Sequence, residues 1–400
     1  MNNSYTNAEK LRMDEEELKR KVDSLDEEDL PTANIIVAGI TGTGKSTLLN
    51  AVFGSEIAQT GKGKPVTEHM DEYYSPDIPI HIWDTVGLEL DSQKTKDSIN
   101  SIRDTIASKS SSKDNFDRIH AIWYCINSGS NRYQGAELEF IKDLYSIGVP
   151  FIIVLTQCIG NEEEINEFEN KIREINTSNG MNDVEVVQVC AKEFNLKGFT
   201  IPAFGLDTLV DITIKKMPDF IKGGFVAAQK VSKSQKRMQC EEIIYDYVKA
   251  AKEGFWDKVP VTNIICANDK IKKMLKKIGE MYNTQISYEA IERITQKCSI
   301  DMENVFWGLI SPFKNGYYNK VKSLLKTKKN EGFEVNVGEI TKSDRVANMI
   351  AFYGYTFISA IEEMWEKFTE DQLKDIDIVC NNLIKIINRI LRENIKKKTL

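Results

Sequence analysis

The sequence predicts a three-layer α/β domain with a mainly parallel sheet, preceded by an amphipathic helix and followed by an all-α domain. Three observations carry this. From Ala33 to about residue 220, short apolar runs alternate with helical stretches, the rhythm of strands that pair in parallel and are covered on both faces. Beyond that point the alternation stops, and long Lys/Glu-rich segments of helical period take over. Between the apolar run Ala33 to Ala38 and an amphipathic stretch carrying Leu48, Leu49, Val52 and Phe53 stands GITGTGKST, Gly39 to Thr47. Its setting is that of a strand, a glycine loop and a helix.

Taken in order, residues 1–32 hold a charged segment, 7–28, with Leu11, Leu18, Val22 and Leu25 on one helical face and Pro31 as its stop. Residues 33–220 form the α/β domain. After the glycine loop and its helix, TGKGKPVT (Thr60 to Thr67) reads as a flexible loop. His69 to Ser75 and Ile78 to Asp84 then read as an antiparallel edge hairpin around Pro76 and Asp77. Further strands are expected at 119–126, 150–155 and 184–189, with helices at 94–107, 135–147, 163–175 and 207–216. The polar run 108–117 reads as a surface loop, and Gly223 and Gly224 mark the boundary. Residues 221–400 are the helical domain, with helices at 241–252, 269–282, 288–297, 315–326, 343–365 and 371–395, interrupted at 254–261 by a loop rich in aromatics.

With 400 residues, two domains are the prior, and a formal net charge of −7 argues against nucleic acid as the main partner. The seven cysteines are scattered without a CxxC pair, which suits buried thiols in a reducing cytoplasm better than a metal or disulfide framework. The opening residues have neither the basic nor the apolar region of a signal peptide, so a cytoplasmic location is expected. Residues 346–361 fall short of the roughly 20 apolar residues that cross a bilayer. They read as a buried core helix, with peripheral contact at the inner membrane as the alternative. His69, His81 and His120 stand singly in strand-like runs and read as packed side chains. Trp83, Trp123, Trp256, Trp307 and Trp365 read as core or domain-contact residues.

The chemistry centres on the glycine loop. Gly39, four residues, Gly44, Lys45 and Ser46 is the spacing in which successive backbone N–H groups and a helix N-terminus surround a phosphate. Thr41, Gly42, Thr43 and Thr47 complete that cradle. Lys45 offers the cation that β- and γ-phosphates need, and Ser46 a hydroxyl for Mg²⁺. Asp84 to Gly87 (DTVG) ends an apolar strand, where a carboxylate can hold the Mg²⁺ shell and a backbone N–H can sense the γ-phosphate. Thr67 is placed to add a second hydroxyl to the metal.

Over residues 33–218 the chain resembles P-loop GTPases of the translation-factor-related class, near the Era-like, immunity-related and dynamin-like members. Gly39 to Ser46 matches the first family motif, Thr67 in KPVT the second, and Asp84 to Gly87 the third. Ala191 and Lys192 in VCAKE match the fifth, whose backbone contacts the guanine carbonyl. The fourth departs: where the family has Asn/Thr-Lys-x-Asp, this chain has Thr156, Gln157, Cys158 and Ile159, without the aspartate that reads guanine. The acidic run Glu162 to Glu164 stands near enough to substitute, or else is a solvated helix start.

The resemblance implies a Mg²⁺-dependent enzyme binding GTP and GDP, with Lys45, Thr67 and Thr41 as catalytic groups and Ser46, Thr67 and Asp84 at the metal. Gly39, Thr41 to Thr47, Gly87, Thr156, Gln157, Ala191 and Lys192 line the nucleotide. Leu88 stands where many relatives carry a water-orienting glutamine, so slow hydrolysis by the monomer and a homodimer across the nucleotide face are expected. Residues 225–286 are similar, more loosely, to the helical domain of YcjF-like proteins, which makes the helical region the expected effector. A self-assembling dynamin-like protein at a membrane and a nucleotide-sensing scaffold with little hydrolysis stay open as alternatives. The protein partner is not specified by the sequence.

Overall fold

The computed structural model describes residues 30–54, 64–67, 70–75, 78–85, 93–110, 117–130, 133, 135–196, 198–251, 264–284, 286–309 and 342–396. The expected features at 7–28, 254–261 and 315–326, together with His69, Gly87, Leu88 and Trp256, lie outside them. So do the side chains of Thr67, Cys266 and Trp307. The described chain forms two compact units, Leu30–Gln235 and the residues from Lys236 onward.

In the first unit a sheet of seven strands runs in the order β2-β3-β4-β1-β5-β6-β7. Its strands are β1 (Ala33–Ala38), β2 (Lys64–Thr67), β3 (Met70–Ser75), β4 (Ile78–Thr85), β5 (Ala121–Asn127), β6 (Phe151–Thr156) and β7 (Glu185–Gln188). β4, β1, β5, β6 and β7 are parallel, and β3 is antiparallel to both β2 and β4. β1 and β6 are buried along their whole length, as strands covered on both faces must be.

The period of two sorts their side chains into two cores. Ile36, Tyr124, Ile126, Ile153 and Leu155 pack with α2 (Gln93–Ser110), α3 (Ala136–Tyr145) and α4 (Glu162–Ser178) through Ile102, Ile106, Phe140, Leu144, Phe168 and Ile172. Ile35, Val37, Trp123, Cys125 and Val154 face α1 (Lys45–Phe53), α5 (Leu206–Lys216) and α6 (Asp219–Ala228) through Leu48, Val52, Phe53, Leu209, Ile221 and Phe225. Phe53, Trp123 and Phe225 form a ring cluster with centroids 5.9 to 6.2 Å apart.

Three expectations change. The hairpin of β3 and β4 forms, but the edge of the sheet is β2, so part of the segment read as a flexible loop is extended and paired. Its Pro65 is tolerated because an edge strand has one ladder side free. The glycine pair Gly223 and Gly224 marks no boundary: it lies inside α6, and the compact unit continues to Gln235. Gly224 is there because a Cβ would stand 1.6 Å from the Pro31 carbonyl oxygen, so the helix can cross the chain at Pro31 only without a side chain. In the second unit, the single helix expected over 371–395 is two, α11 (Glu370–Lys374) and α12 (Ile376–Lys396). Thr369 and Gln372 form a capping box on α11, and the Asp375 carboxylate accepts the N–H of Ile378 to start α12.

The second unit is otherwise helical as expected, with α7 (Lys233–Ala250, mostly within it), α8 (Ile264–Met281), α9 (Tyr288–Leu309) and α10 (Lys342–Lys367); α12 packs on α9 and α10, and α8 packs on the same two helices. Ala347, Ile350, Phe357, Ile358 and Ile361 of α10 are buried, the core-helix reading of 346–361. At its centre the Lys236 ammonium donates to the Met281 carbonyl at 2.7 Å. Glu362 accepts from Arg237 at 2.6 Å and from the Tyr282 hydroxyl at 3.0 Å. No described helix is long and apolar enough to cross a membrane.

Gly224→Ala is expected to cost about 2 kcal/mol or more through its clash with Pro31 and to lower Tm by several degrees. Gly223→Ala, whose Cβ would meet only Leu30 Cδ2 at 3.7 Å, should be neutral or stabilising by up to about 1 kcal/mol. Thermal unfolding of the two variants checks this, and equal Tm values would contradict the packing of α6.

Candidate functional site

In parallel sheets, ligands gather at the carboxyl ends of the strands, and here those ends carry the described residues that the sequence assigns to the nucleotide and the metal. β1 ends at Ala38 and the chain turns at Gly39, with φ 145°. A Cβ on Gly39 would lie 2.4 Å from the Cys125 carbonyl oxygen of β5, so only glycine lets the loop pass its neighbouring strand. Gly42 (φ 83°) and Gly44 (φ 86°) turn the following peptides, and Gly44 is the N-cap of α1. The N–H groups of Gly42, Gly44, Lys45 and Ser46 donate to no acceptor among the described residues. Together with the positive end of the α1 dipole they form a cradle for an anion.

The loop is held in shape from inside. Lys45 is buried, and its ammonium donates to the carbonyls of Gly39 at 2.9 Å and Ile40 at 3.4 Å. The Thr43 hydroxyl donates to Ile40 O at 2.8 Å. Lys45 therefore braces the loop as well as charging it. Thr41, Ser46 and Thr47 are exposed.

It is also held from β6. The Thr156 hydroxyl, fully buried, donates to the Thr43 carbonyl and lies 3.2 Å from that of Ile126. The Gln157 amide nitrogen donates to Gly42 O at 2.9 Å. Gln157 takes φ 55°, a conformation rare for a residue with a side chain, and its carbonyl accepts from the Ser128 hydroxyl at 2.9 Å and from Ile159 N at 2.8 Å. Thr156 and Gln157 thus clamp the glycine loop. No sequence motif flags Ser128, whose hydroxyl bond to Gln157 O is a contact between loops.

At the end of β4, Asp84 is mostly buried, and its Oδ1 has no hydrogen-bond partner among the described residues. Burial lifts its carboxyl to about 6; the nearby Lys45 ammonium pulls it down and Asp71 pushes it up further. Asp71 is its partner across the β3–β4 register, so the two carboxylates share one face of the hairpin. Counting along that hairpin from the sequence could have found the pair. A buried carboxylate oxygen without a donor, beside an anion cradle, fits a hard divalent cation that takes oxygen ligands.

At the far side, the loops after β6 and β7 are joined by Cys158 N to Val189 O, at 3.2 Å, and by Val189 N to Leu155 O, at 2.7 Å. Ala191 and Lys192 follow, the latter exposed, with the Cys190 thiol donating to the Lys192 carbonyl at 3.2 Å. Glu162, Glu163 and Glu164 occupy the exposed first turn of α4, capped by the Asn161 side chain on Glu163 N at 2.8 Å, as a solvated helix start requires. The other candidates are structural. His120 Nδ1 accepts the N–H of Asn34 at 2.9 Å, and His81 packs between Tyr74 and Trp83. Cys125, Cys158, Cys190, Cys240, Cys298 and Cys380 are buried and in no disulfide, and the described residues contain no cluster of metal-binding side chains.

Residues 34–157 match the family model described as 50S ribosome-binding GTPase. No curated protein matches the chain as a whole sequence. Among solved structures, a probable GTP-binding protein engB is 20% identical, with 40% of this chain and 89% of that one covered and a TM-score of 0.31. An Era variant of Aquifex aeolicus bound to GDP and aluminium fluoride is 17% identical over 56% of this chain and 68% of that one, with a TM-score of 0.33. Elongation factor SelB of Methanococcus maripaludis is 16% identical over 41% of this chain, which covers 30% of that one, with a TM-score of 0.28.

Because Asp84 is lifted to about 6, the folded chain favours its protonated form. Its contribution to stability is fully present below pH about 4 and is lost as pH rises through about 6. Asp84→Asn is therefore expected to raise the Tm of metal-free protein at pH 8, by about 2 kcal/mol in stability, with little gain at pH 4. Thermal melts at both pH values check this; no gain at pH 8 would contradict the buried carboxylate.

Proposed function

We propose, from the premise that residues 34–157 form a P-loop GTPase domain, that the chain hydrolyses GTP to GDP and phosphate with Mg²⁺. The observation that carries this is the pairing of an outward row of loop amides with the unpartnered buried oxygen of Asp84 at one end of the sheet. Ser46, Thr67 and Asp84 would hold Mg²⁺, which when bound supplies positive charge to the phosphate oxygens. The N–H groups of Gly42, Gly44, Lys45 and Ser46 bind the phosphates, and the Lys45 ammonium exchanges a loop carbonyl for a phosphate oxygen. Water attacks the γ-phosphorus, the bond to the β,γ-bridging oxygen breaks, and that oxygen leaves on GDP. Thr41, exposed on the loop, is available to orient the water, and Gly87 to sense the γ-phosphate. Ala191 and Lys192 offer N–H groups to the base.

The helical unit is the proposed effector, and self-association across the nucleotide face is the proposed source of the group that Leu88 does not supply. Lys45→Ala should abolish GTP binding and also lower stability by about 1 kcal/mol, because Gly39 and Ile40 lose a donor. Phosphate release by the wild type should be slow, below roughly 1 s⁻¹, and should rise per molecule with protein concentration. Calorimetry and a phosphate-release assay check these. Full affinity in the lysine variant would overturn the site, and fast turnover independent of concentration would overturn self-association.

A further inference from the structure

We infer that Cys158 and Cys190 form a redox clasp: a hydroperoxide joins them in a disulfide that locks the loops after β6 and β7 to each other, and a thiol reductant reopens it. The two residues stand side by side because of one irregularity in the sheet. β6 and β7 pair in parallel as far as Leu155 and Gln188, and Val189 N donates to Leu155 O at 2.7 Å. In an unbroken ladder the next donor, to Val189 O, would be Gln157 N. It is Cys158 N instead, at 3.2 Å, so Gln157, with its φ of 55°, is an extra residue and Cys158 falls opposite Cys190. Cys190 is held extended from its other side, where it exchanges two backbone hydrogen bonds with Phe204 at 3.0 and 3.1 Å. Neighbours across a ladder lie about 4.8 Å apart, inside the roughly 4.4–6.8 Å that the Cα atoms of a disulfide span.

Both side chains face α4. Cys158 shares a core with Ile165 and Phe168 of that helix. Gln188, two residues before Cys190 and therefore on its face of the sheet, donates to Asn166 and Glu169 of α4 at 2.8 and 2.6 Å. The Cys158 thiol donates to Leu155 O and the Cys190 thiol to Lys192 O, both at 3.2 Å. Burial pushes both thiols up, Cys158 to about 11, so the pair reacts slowly while the loops are closed and a small neutral oxidant reaches it when they part. One sulfur, as thiolate, attacks a peroxide oxygen; the O–O bond breaks, a sulfenic acid forms and the second oxygen leaves as water. The other thiol then attacks the sulfenic sulfur, the S–S bond forms and the hydroxyl leaves as a second water. The two sulfurs lose the two electrons that the peroxide gains.

The clasp acts on the site because the extra residue beside it braces the glycine loop. Thr156 and Gln157 hold the Thr43 and Gly42 carbonyls, and a cross-link at Cys158 fixes the backbone from which they do so. This consequence rests on the proposed nucleotide binding at Gly39–Ser46: the oxidised chain releases GDP more slowly, because a loop held in its binding geometry opens less often.

The test treats the full chain with hydrogen peroxide, quenches it, unfolds it in an alkylating reagent and maps it by peptide mass spectrometry without reductant. A peptide pair linked through Cys158 and Cys190 is expected, lost on treatment with dithiothreitol. Tm should rise by about 5 °C, and GDP dissociation in the presence of Mg²⁺ should slow at least about threefold. Cys158→Ser and Cys190→Ser, which keep a hydroxyl for the same carbonyls, should show none of these responses to peroxide. Alkylation of both thiols after peroxide, sulfinic acid at either position without the link, or an unchanged GDP dissociation rate in the linked chain would overturn the inference. Failure of the untreated chain to bind GDP would instead refute the proposed function, and the link and the Tm would then decide the clasp.

Discussion

The approach of Gly39 to the Cys125 carbonyl is the contact on which the site depends. It lets the chain leave β1 across the neighbouring strand without a bulge, and that sets where the loop amides point. Three further ties then fix the loop: Lys45 to Gly39 and Ile40, Thr43 to Ile40, and the β6 pair Thr156 and Gln157 to Thr43 and Gly42. The loop carbonyls are so engaged, and the amides of Gly42, Gly44, Lys45 and Ser46 have no acceptor among the described residues. Preorganisation of this kind lowers the ordering cost of binding, because the donors need no rearrangement when an anion arrives.

The same contacts give the segment Thr156 to Ile159 a structural task at the loop. Gln157 supplies the tie to the phosphate loop through a neutral amide, at the cost of a left-handed backbone. What the exchange leaves out is a carboxylate two residues later, where Ile159 stands.

Much of this was legible in the sequence. Continuous apolar runs at Ala33 and Phe151 specify strands buried on both faces, and the glycine spacing specifies the loop because few other residues tolerate its backbone. What stayed illegible was tertiary in origin. The edge strand β2 hides in a Gly- and Pro-containing segment whose extended form depends on pairing with β3. Gly223 and Gly224 look like a linker, yet Gly224 answers to the Pro31 carbonyl, nearly two hundred residues earlier. The break at Asp375 depends on its own side chain capping the next helix, which helical periodicity alone does not register. The roles of Thr156 and Gln157 follow from distances between loops, which no motif encodes.

The central claim is that an anion-bearing nucleotide is held by the main-chain amides of Gly42, Gly44, Lys45 and Ser46. Hydrogen exchange read by peptide mass spectrometry, with and without GDP and Mg²⁺, tests it directly. The account predicts slowed exchange in peptides covering 39–47 and 189–193, with the interior of the helical unit unchanged. Protection confined to other segments, or unchanged exchange at the loop with nucleotide bound, would contradict it.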